Sequence, residues 1–293
     1  MSSADIDMDH LRTWIGKEDN ASDVVSARLV EAFCATLDPF LAPRGTDEAP
    51  LGLHWCLAPP TAPISRLRLD GHPQTTALLP PVPLPRRMWA GGELDLLAPL
   101  RIGDRVVRRS VIVDVSLKSG SSGPLCFVRV QHEYSSRESG MLIRELQDIV
   151  YRAASAGAQS AKSSESRSSS IGVPGAGALT WQVPVDARLL FRYSALTFNT
   201  HRIHYDYPYA TGQEGYRGLV VHGPLQATLL LNIAATWKDQ TPRRFVYRSV
   251  APLTADCAFT VSMQPADAQA TAGPCCTRNG AGTLTMQGEA LWM

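Results

Sequence analysis

The sequence predicts an α+β protein built from two units, each with a helix followed by antiparallel strands that wrap it. Three observations carry this expectation. A helix-period apolar pattern near the start of the chain gives way to period-2 strand patterns. A long apolar run from Val220 to Trp237 is likewise followed by strand patterns. Between these two series lies a stretch of almost purely small and polar residues, 153–178.

The elements follow in order. Val24, Val25, Leu29, Val30 and Phe33 recur at spacings of three and four, which makes one helical face. The passage Leu79-Pro80-Pro81-Val82-Pro83-Leu84-Pro85 must be extended, because each proline lacks a donor and restricts its predecessor. Val107, Val111, Val113 and Val115 then alternate along one strand face, interrupted at Arg109. Leu125 to Tyr134 and Met141 to Tyr151 are two further strands, and Gly120 to Pro124 is a turn. The 153–178 stretch has too little apolar surface to offset its ordering entropy, so it reads as a flexible linker. It separates a unit of residues 1–152 from one of residues 179–293, each of a size that can hold its own core. In the second unit Pro224 suits a first helical position, since that amide has no intrahelical partner. Strands are expected at Arg244 to Val250, Cys257 to Met263 and Thr283 to Trp292. In the last, Leu284, Met286, Ala290 and Trp292 face one way and Thr285, Gln287 and Glu289 the other.

Composition narrows the function classes. Over 293 residues, 44% hydrophobic and 19% charged side chains describe an ordinary soluble globular protein. A net charge of +1 gives no electrostatic footprint for nucleic acid or an anionic membrane. No apolar run approaches the ~20 residues needed to cross a bilayer. The start, MSSADIDMDHLR, has early acidic residues and no apolar stretch, so neither a secretory signal nor a mitochondrial presequence is expected. The six cysteines include no CxxC spacing, which fits scattered reduced thiols in a cytoplasmic protein. No metal centre and no cofactor are expected.

Chemistry concentrates between Leu190 and Leu231. Asn199, His201, His204, Tyr205 and Asp206 fall in one short stretch, followed by a glycine-rich turn and His222-Gly223-Pro224 at the head of the apolar run. Acid/base groups beside a helix start that can hold an oxyanion suit chemistry next to a carbonyl. Each residue also has a plain structural reading. Asn199 suits a turn or cap, Asp206 a helix cap or the orienting of a histidine, and His222 a structural contact.

The segment Asn199-Thr200-His201-Arg202-Ile203-His204, with His222-Gly223 downstream, resembles the MaoC-like or R-specific enoyl-thioester hydratase family. That family has the hotdog fold, a motif of form D-x-N-P-x-H and a later HG at the start of its central helix. SALTFNTHRIHYD and LPPVPLPRRMWAGGELD are similar to one branch, which contains mesaconyl-CoA and itaconyl-CoA hydratases and type 2 3-hydroxyacyl-thioester dehydratases. The resemblance implies a double hotdog: two antiparallel sheets, each wrapped around a central helix, with the catalytic motif in the C-terminal unit. It implies a hydro-lyase that reversibly adds water to an enoyl-CoA thioester, with a short C5 dicarboxylyl group favoured. Here Asn199 stands where the wider family has aspartate, and His201 where it has asparagine. An amide cannot exchange a proton near neutral pH. The expectation is therefore that Asn199 positions water, His204 carries the proton and Gly223 holds the enolate oxygen, with His201 in reserve and Asp206 orienting. Arg86, Arg87 and Trp89 are expected on the substrate side with Arg202 and Tyr205. An arginine of the Arg86-Arg87 pair could clamp a second carboxylate bidentately. Three alternatives stay open: a longer-chain 3-hydroxyacyl-thioester dehydratase, a non-catalytic acyl-thioester-binding protein and a hotdog thioesterase. Oligomeric state is open as well, a homodimer included.

Overall fold

The computed structural model describes residues 6–120, 123–153, 175, 177–264, 267 and 269–292. The expected linker at 153–178 falls almost wholly outside these described residues. In the first half, α1 (Met8–Arg12), β1 (Glu18–Val24) and α2 (Ala27–Leu37) precede β2 (Arg86–Leu96), β3 (Arg105–Gly120), β4 (Gly123–Ser136) and β5 (Gly140–Arg152). In the second, β6 (Leu179–Val183), α3 (Ala187–Leu196), α4 (Tyr207–Gly212) and α5 (Gly223–Lys238) lead into β7 (Arg244–Ser249), β8 (Phe259–Met263), β9 (Ala272–Arg278) and β10 (Leu284–Leu291).

The strands form one antiparallel ten-stranded sheet in the order β1-β3-β4-β5-β2-β7-β10-β9-β8-β6. The halves meet where β2 pairs with β7, from Gly91 opposite Arg248 to Asp95 opposite Arg244. Helix starts are fixed by side-chain caps: Ser26 accepts from the Leu29 amide, and Asp186 from the Arg188 and Leu189 amides. Helix α5 begins at Gly223 with Pro224 in its first turn, as the proline required. Every residue of α5 from Leu225 to Ala235 is buried, the state expected of a helix that is apolar all round.

The polar residues of α5 are all used. Gln226 Oε1 accepts from the Thr277 and Thr285 hydroxyls at 2.8 and 3.0 Å. Asn232 accepts from the Ala42 amide at 3.0 Å and donates to the Leu51 carbonyl at 3.0 Å, so it fastens the first half's 40–52 segment to the second half's helix. The sequence suggested a separate core for each half. Instead one apolar cluster joins Phe33, Leu37, Leu53 and Leu94 to Leu225, Leu229 and Phe245, because the β2–β7 seam makes the two apolar faces continuous. A second cluster, with Ile112, Val115, Val128 and Ile149, belongs to the first half.

Two strand faces differ from expectation. Val107 and Val113 are exposed, while Val106, Ile112 and Val115 are buried. A register shift between Ile112 and Asp114 turns the strand over, so the valines do not share a face. In β10, Thr285 is buried with Met286, because the register also shifts between Leu284 and Met286. Strands β1, β2, β6 and β9 were not among the expected strands. β1 and β6 are the sheet edges, where polar residues are tolerated. β9 begins Ala272-Gly273-Pro274, which reads as a turn.

Candidate active site

His204 closes a single turn of 3₁₀-helix, Arg202–His204, between α3 and α4. Its Nδ1 lies 2.7 Å from the carbonyl oxygen of Val220, and the ring is buried. A carbonyl can only accept, so Nδ1 carries the proton and Nε2 keeps its lone pair. Burial pushes the imidazole down to about 4, against the opposing pull of the Val220 carbonyl. His204 is thus a neutral base across the physiological range.

His222, the residue before α5, stacks on His204 with ring centroids 3.7 Å apart and an interplanar angle of 19°. The Ser194 hydroxyl holds its Nε2 at 2.9 Å. Burial first, then the neighbouring His204 and His201, keep His222 well below the ordinary histidine value. It is a neutral plate that fixes the plane of the His204 ring. Gly223 follows directly and opens α5, so its N–H is one of the helix's unpaired first-turn donors. A Cβ at Gly223 would sit 2.6 Å from Trp89 Cε3. The residue must therefore be glycine for the Trp89 ring to lie against the helix start.

Asn199 follows α3, and its Oδ1 accepts from the His201 amide at 2.9 Å. That bond assigns the side chain's orientation. The NH₂ and the oxygen's second lone pair can each serve a water. The His201 ring lies edge-on to His204 at 5.5 Å between centroids. Burial, then His72 and His204, push it down to about 2.

A segment the sequence reading passed over completes the cluster. His72 packs on His201 with centroids 4.2 Å apart, and Asp70 Oδ2 lies 3.4 Å from His72 Nδ1. Asp70-Gly71-His72-Pro73 reads as a plain turn, and nothing in the local pattern marks it as part of a site.

Four expected site residues are occupied elsewhere. Asp206 caps α4 by accepting from the Tyr209 amide, and its other oxygen takes the Arg202 guanidinium at 2.8 and 3.0 Å. It therefore braces the loop rather than orienting a histidine. Arg202 also donates to the Leu69 carbonyl and lies 4.1 Å over the Tyr209 ring, so its guanidinium is engaged within the loop. Tyr205 is exposed and donates to the Thr200 carbonyl at 3.1 Å. Arg86 pairs with Glu214 at 3.2 Å, both largely buried, and is not free to clamp a carboxylate. Arg87 differs. It faces Tyr151 across the β2–β5 ladder, and its charge is felt by His72 and His201. Among the described residues it has no carboxylate within ion-pair distance. A cleft of about 380 Å³, lined in part by Pro43, Arg44, Leu97, Gln240 and Arg243, contains none of the histidines of this cluster.

The depressed His204 value gives a pH expectation. A base must be deprotonated to act, so kcat/KM holds level from neutrality down to roughly pH 5 and falls as the pH drops through about 4. A profile already falling below pH 7 would contradict a buried neutral His204.

Comparison with known proteins gives the chain's relatives. The family profile described as hydroxyacyl-thioester dehydratase type 2 matches residues 52–255. The chain is 44% identical over 254 residues to a mesaconyl-C(4)-CoA hydratase of Chloroflexus aurantiacus, covering 86% of each protein. It is 28% identical over 226 residues to the mitochondrial hydroxyacyl-thioester dehydratase type 2 of Schizosaccharomyces pombe, covering 69% of this chain and 73% of that one. A Mycobacterium tuberculosis protein with a double hotdog fold superposes with a TM-score of 0.54 at 14% identity, covering 94% of this chain and 96% of that one. The ten-stranded sheet and its helices are a double hotdog.

Proposed function

The chain belongs to the hydroxyacyl-thioester dehydratase type 2 family and is an enoyl-thioester hydro-lyase; on that premise we propose that it hydrates a C4-linked mesaconyl thioester. The observation that carries the mechanism is the His204 hydrogen bond to the Val220 carbonyl, which leaves Nε2 as a free base. The stack on His222 puts that base one residue from the Gly223 N–H. In this reading a water is held by the Asn199 NH₂ and His204 Nε2. His204 takes a proton as the oxygen attacks the β-carbon. The thioester oxygen becomes an enolate, held by the Gly223 N–H and the positive end of α5. Protonation at the α-carbon completes hydration. The reverse sequence is dehydration.

The substrate class follows from identity to a mesaconyl-C(4)-CoA hydratase over most of both chains and from Arg87. In a C4-linked mesaconyl thioester the carbon attacked by water also bears the free carboxylate. A cation must then stand beside the base, and Arg87 is near His72 and His201 with no carboxylate of its own among the described residues. The test is loss of the enoyl-thioester absorbance with mesaconyl-C4-CoA and crotonyl-CoA, with the product checked for one added water. Faster hydration of mesaconyl-C4-CoA is expected. Preference for crotonyl or longer thioesters would favour a 3-hydroxyacyl-thioester dehydratase. No turnover of either would favour a non-catalytic binding protein.

Asn199→Asp probes the water site. The carboxylate can still accept from the His201 amide but replaces the NH₂ donor with an acceptor. Losing one positioned donor costs roughly 10²-fold in kcat. The added negative charge should also raise the acid limb above its wild-type position near 4. Undiminished turnover would mean that the site tolerates either residue.

A further inference from the structure

We propose that Asp70, carried in by the N-terminal half, is a positioning residue of the reaction that acts through His72 as counter-charge to the histidine cluster. This rests on the hydratase reading and adds a residue to its machinery.

Asp70 lies in a tight turn docked on the catalytic motif itself. The Arg202 amide donates to the Asp70 carbonyl at 2.9 Å, and the Thr200 hydroxyl to the Gly71 carbonyl at 2.6 Å. Arg202 also reaches the Leu69 carbonyl at 3.0 Å. Gly71 has a φ of +93°, and a Cβ there would fall 1.7 Å from the Thr200 carbonyl oxygen. The turn can approach the motif this closely only because that residue is glycine. These bonds fix Asp70 and His72 relative to His201 and His204 although about 130 residues separate them in the chain, and that distance along the chain makes the docking a tertiary choice rather than a local one.

The charges around the cluster are uneven. His72, His201, His204 and His222 pack ring to ring, burial lowers each of them from the ordinary histidine value, and Arg87 and Arg68 add fixed positive charge beside His72. Taking a proton from water puts further positive charge on this group. Asp70 is the carboxylate facing it among the described residues, 3.4 Å from His72 Nδ1 and 3.7 Å from Arg68 Nε. Its side chain is 13% exposed, so water screens it weakly. Burial opposes its ionisation, but the hydrogen bonds from His72 and the Arg68 charge outweigh that and hold its carboxyl well below the usual carboxylate range. Its negative charge in turn pulls His72 and His201 upward against burial. Asn199 is an amide and both Asp206 oxygens are engaged in the α4 cap and the Arg202 pair, so neither offers the cluster an unengaged carboxylate.

Asp70→Asn is the direct test. The Asn oxygen can still accept from the His72 amide, as Asp70 Oδ1 does at 2.9 Å, so the turn should survive. The variant is expected to lose roughly 10–100-fold in kcat with little change in KM, less than the ~10²–10⁴-fold of losing a proton carrier itself. His72→Gln should reproduce most of that loss. In parallel, histidine ring resonances are titrated by NMR without substrate. In Asp70→Asn, His72, which faces the carboxylate directly, should protonate at lower pH than in the wild type. Unchanged kcat with superimposable titrations would overturn the proposal, even if the melting temperature fell. If the wild type prefers crotonyl-CoA, the kinetics are run on that substrate. If it turns over neither, the hydratase reading fails, while the NMR titration still decides whether Asp70 sets the charge of the cluster.

Discussion

Replacing His204 with alanine lowers kcat by ~10²–10⁴-fold, the range for losing a positioned proton-transfer group, while KM changes little. The buried ring makes a hydrogen bond to Val220 and a stack on His222, so some stability is lost as well. Deleting a buried hydrogen bond typically costs about 1 kcal/mol and leaves the carbonyl without a partner. His204→Asn separates the two effects, because its NH₂ can still donate towards Val220 but offers no base. Both variants should be folded by circular dichroism and both inactive in the absorbance assay. A folded His204→Asn enzyme with near-normal turnover would remove His204 from the mechanism.

The second large effect is at Arg87. Arg87→Ala is expected to lower kcat/KM for mesaconyl-C4-CoA by ~10²-fold or more, the consequence of losing one partner of a desolvated charge pair worth about 3 kcal/mol. Crotonyl-CoA, which has no second carboxylate, should change far less. Arg87→Lys should fall between the two, since a point charge lacks the forked geometry that meets a carboxylate. Arg86→Ala should instead act through its buried pair with Glu214, lowering stability without a substrate bias. Equal losses on both thioesters in Arg87→Ala would mean that Arg87 supports the histidines rather than reads the substrate.

Much of the second half was legible in the sequence. The Val220 to Trp237 run becomes α5, and Pro224 marks its first turn because proline fits there at no cost. Asn199, His201 and His204 stand together because a short loop between α3 and a 3₁₀ turn holds them. The roles of neighbours were harder to read. Asp206 and Arg202 are four residues apart and pair with each other, a local option that no motif distinguishes from a catalytic one. Arg86 and Arg87 are adjacent in a strand, so their side chains point to opposite faces, and a partner such as Glu214 comes from distant sequence. Asp70 and His72 were invisible for the same reason. Their meaning depends on Gly71 meeting the Thr200 carbonyl, a contact between segments far apart in the chain. Edge strands β1 and β6 were missed because an edge needs no apolar alternation.

The central claim is that His204 rests as a neutral imidazole with its proton on Nδ1 and its lone pair on Nε2. Long-range proton–nitrogen correlation spectra of histidine-labelled enzyme at neutral pH read this directly. The account predicts the Nδ1–H tautomer for His204, persisting until the pH falls towards about 4. An Nε2–H tautomer, or an imidazolium already present at neutral pH, would contradict it.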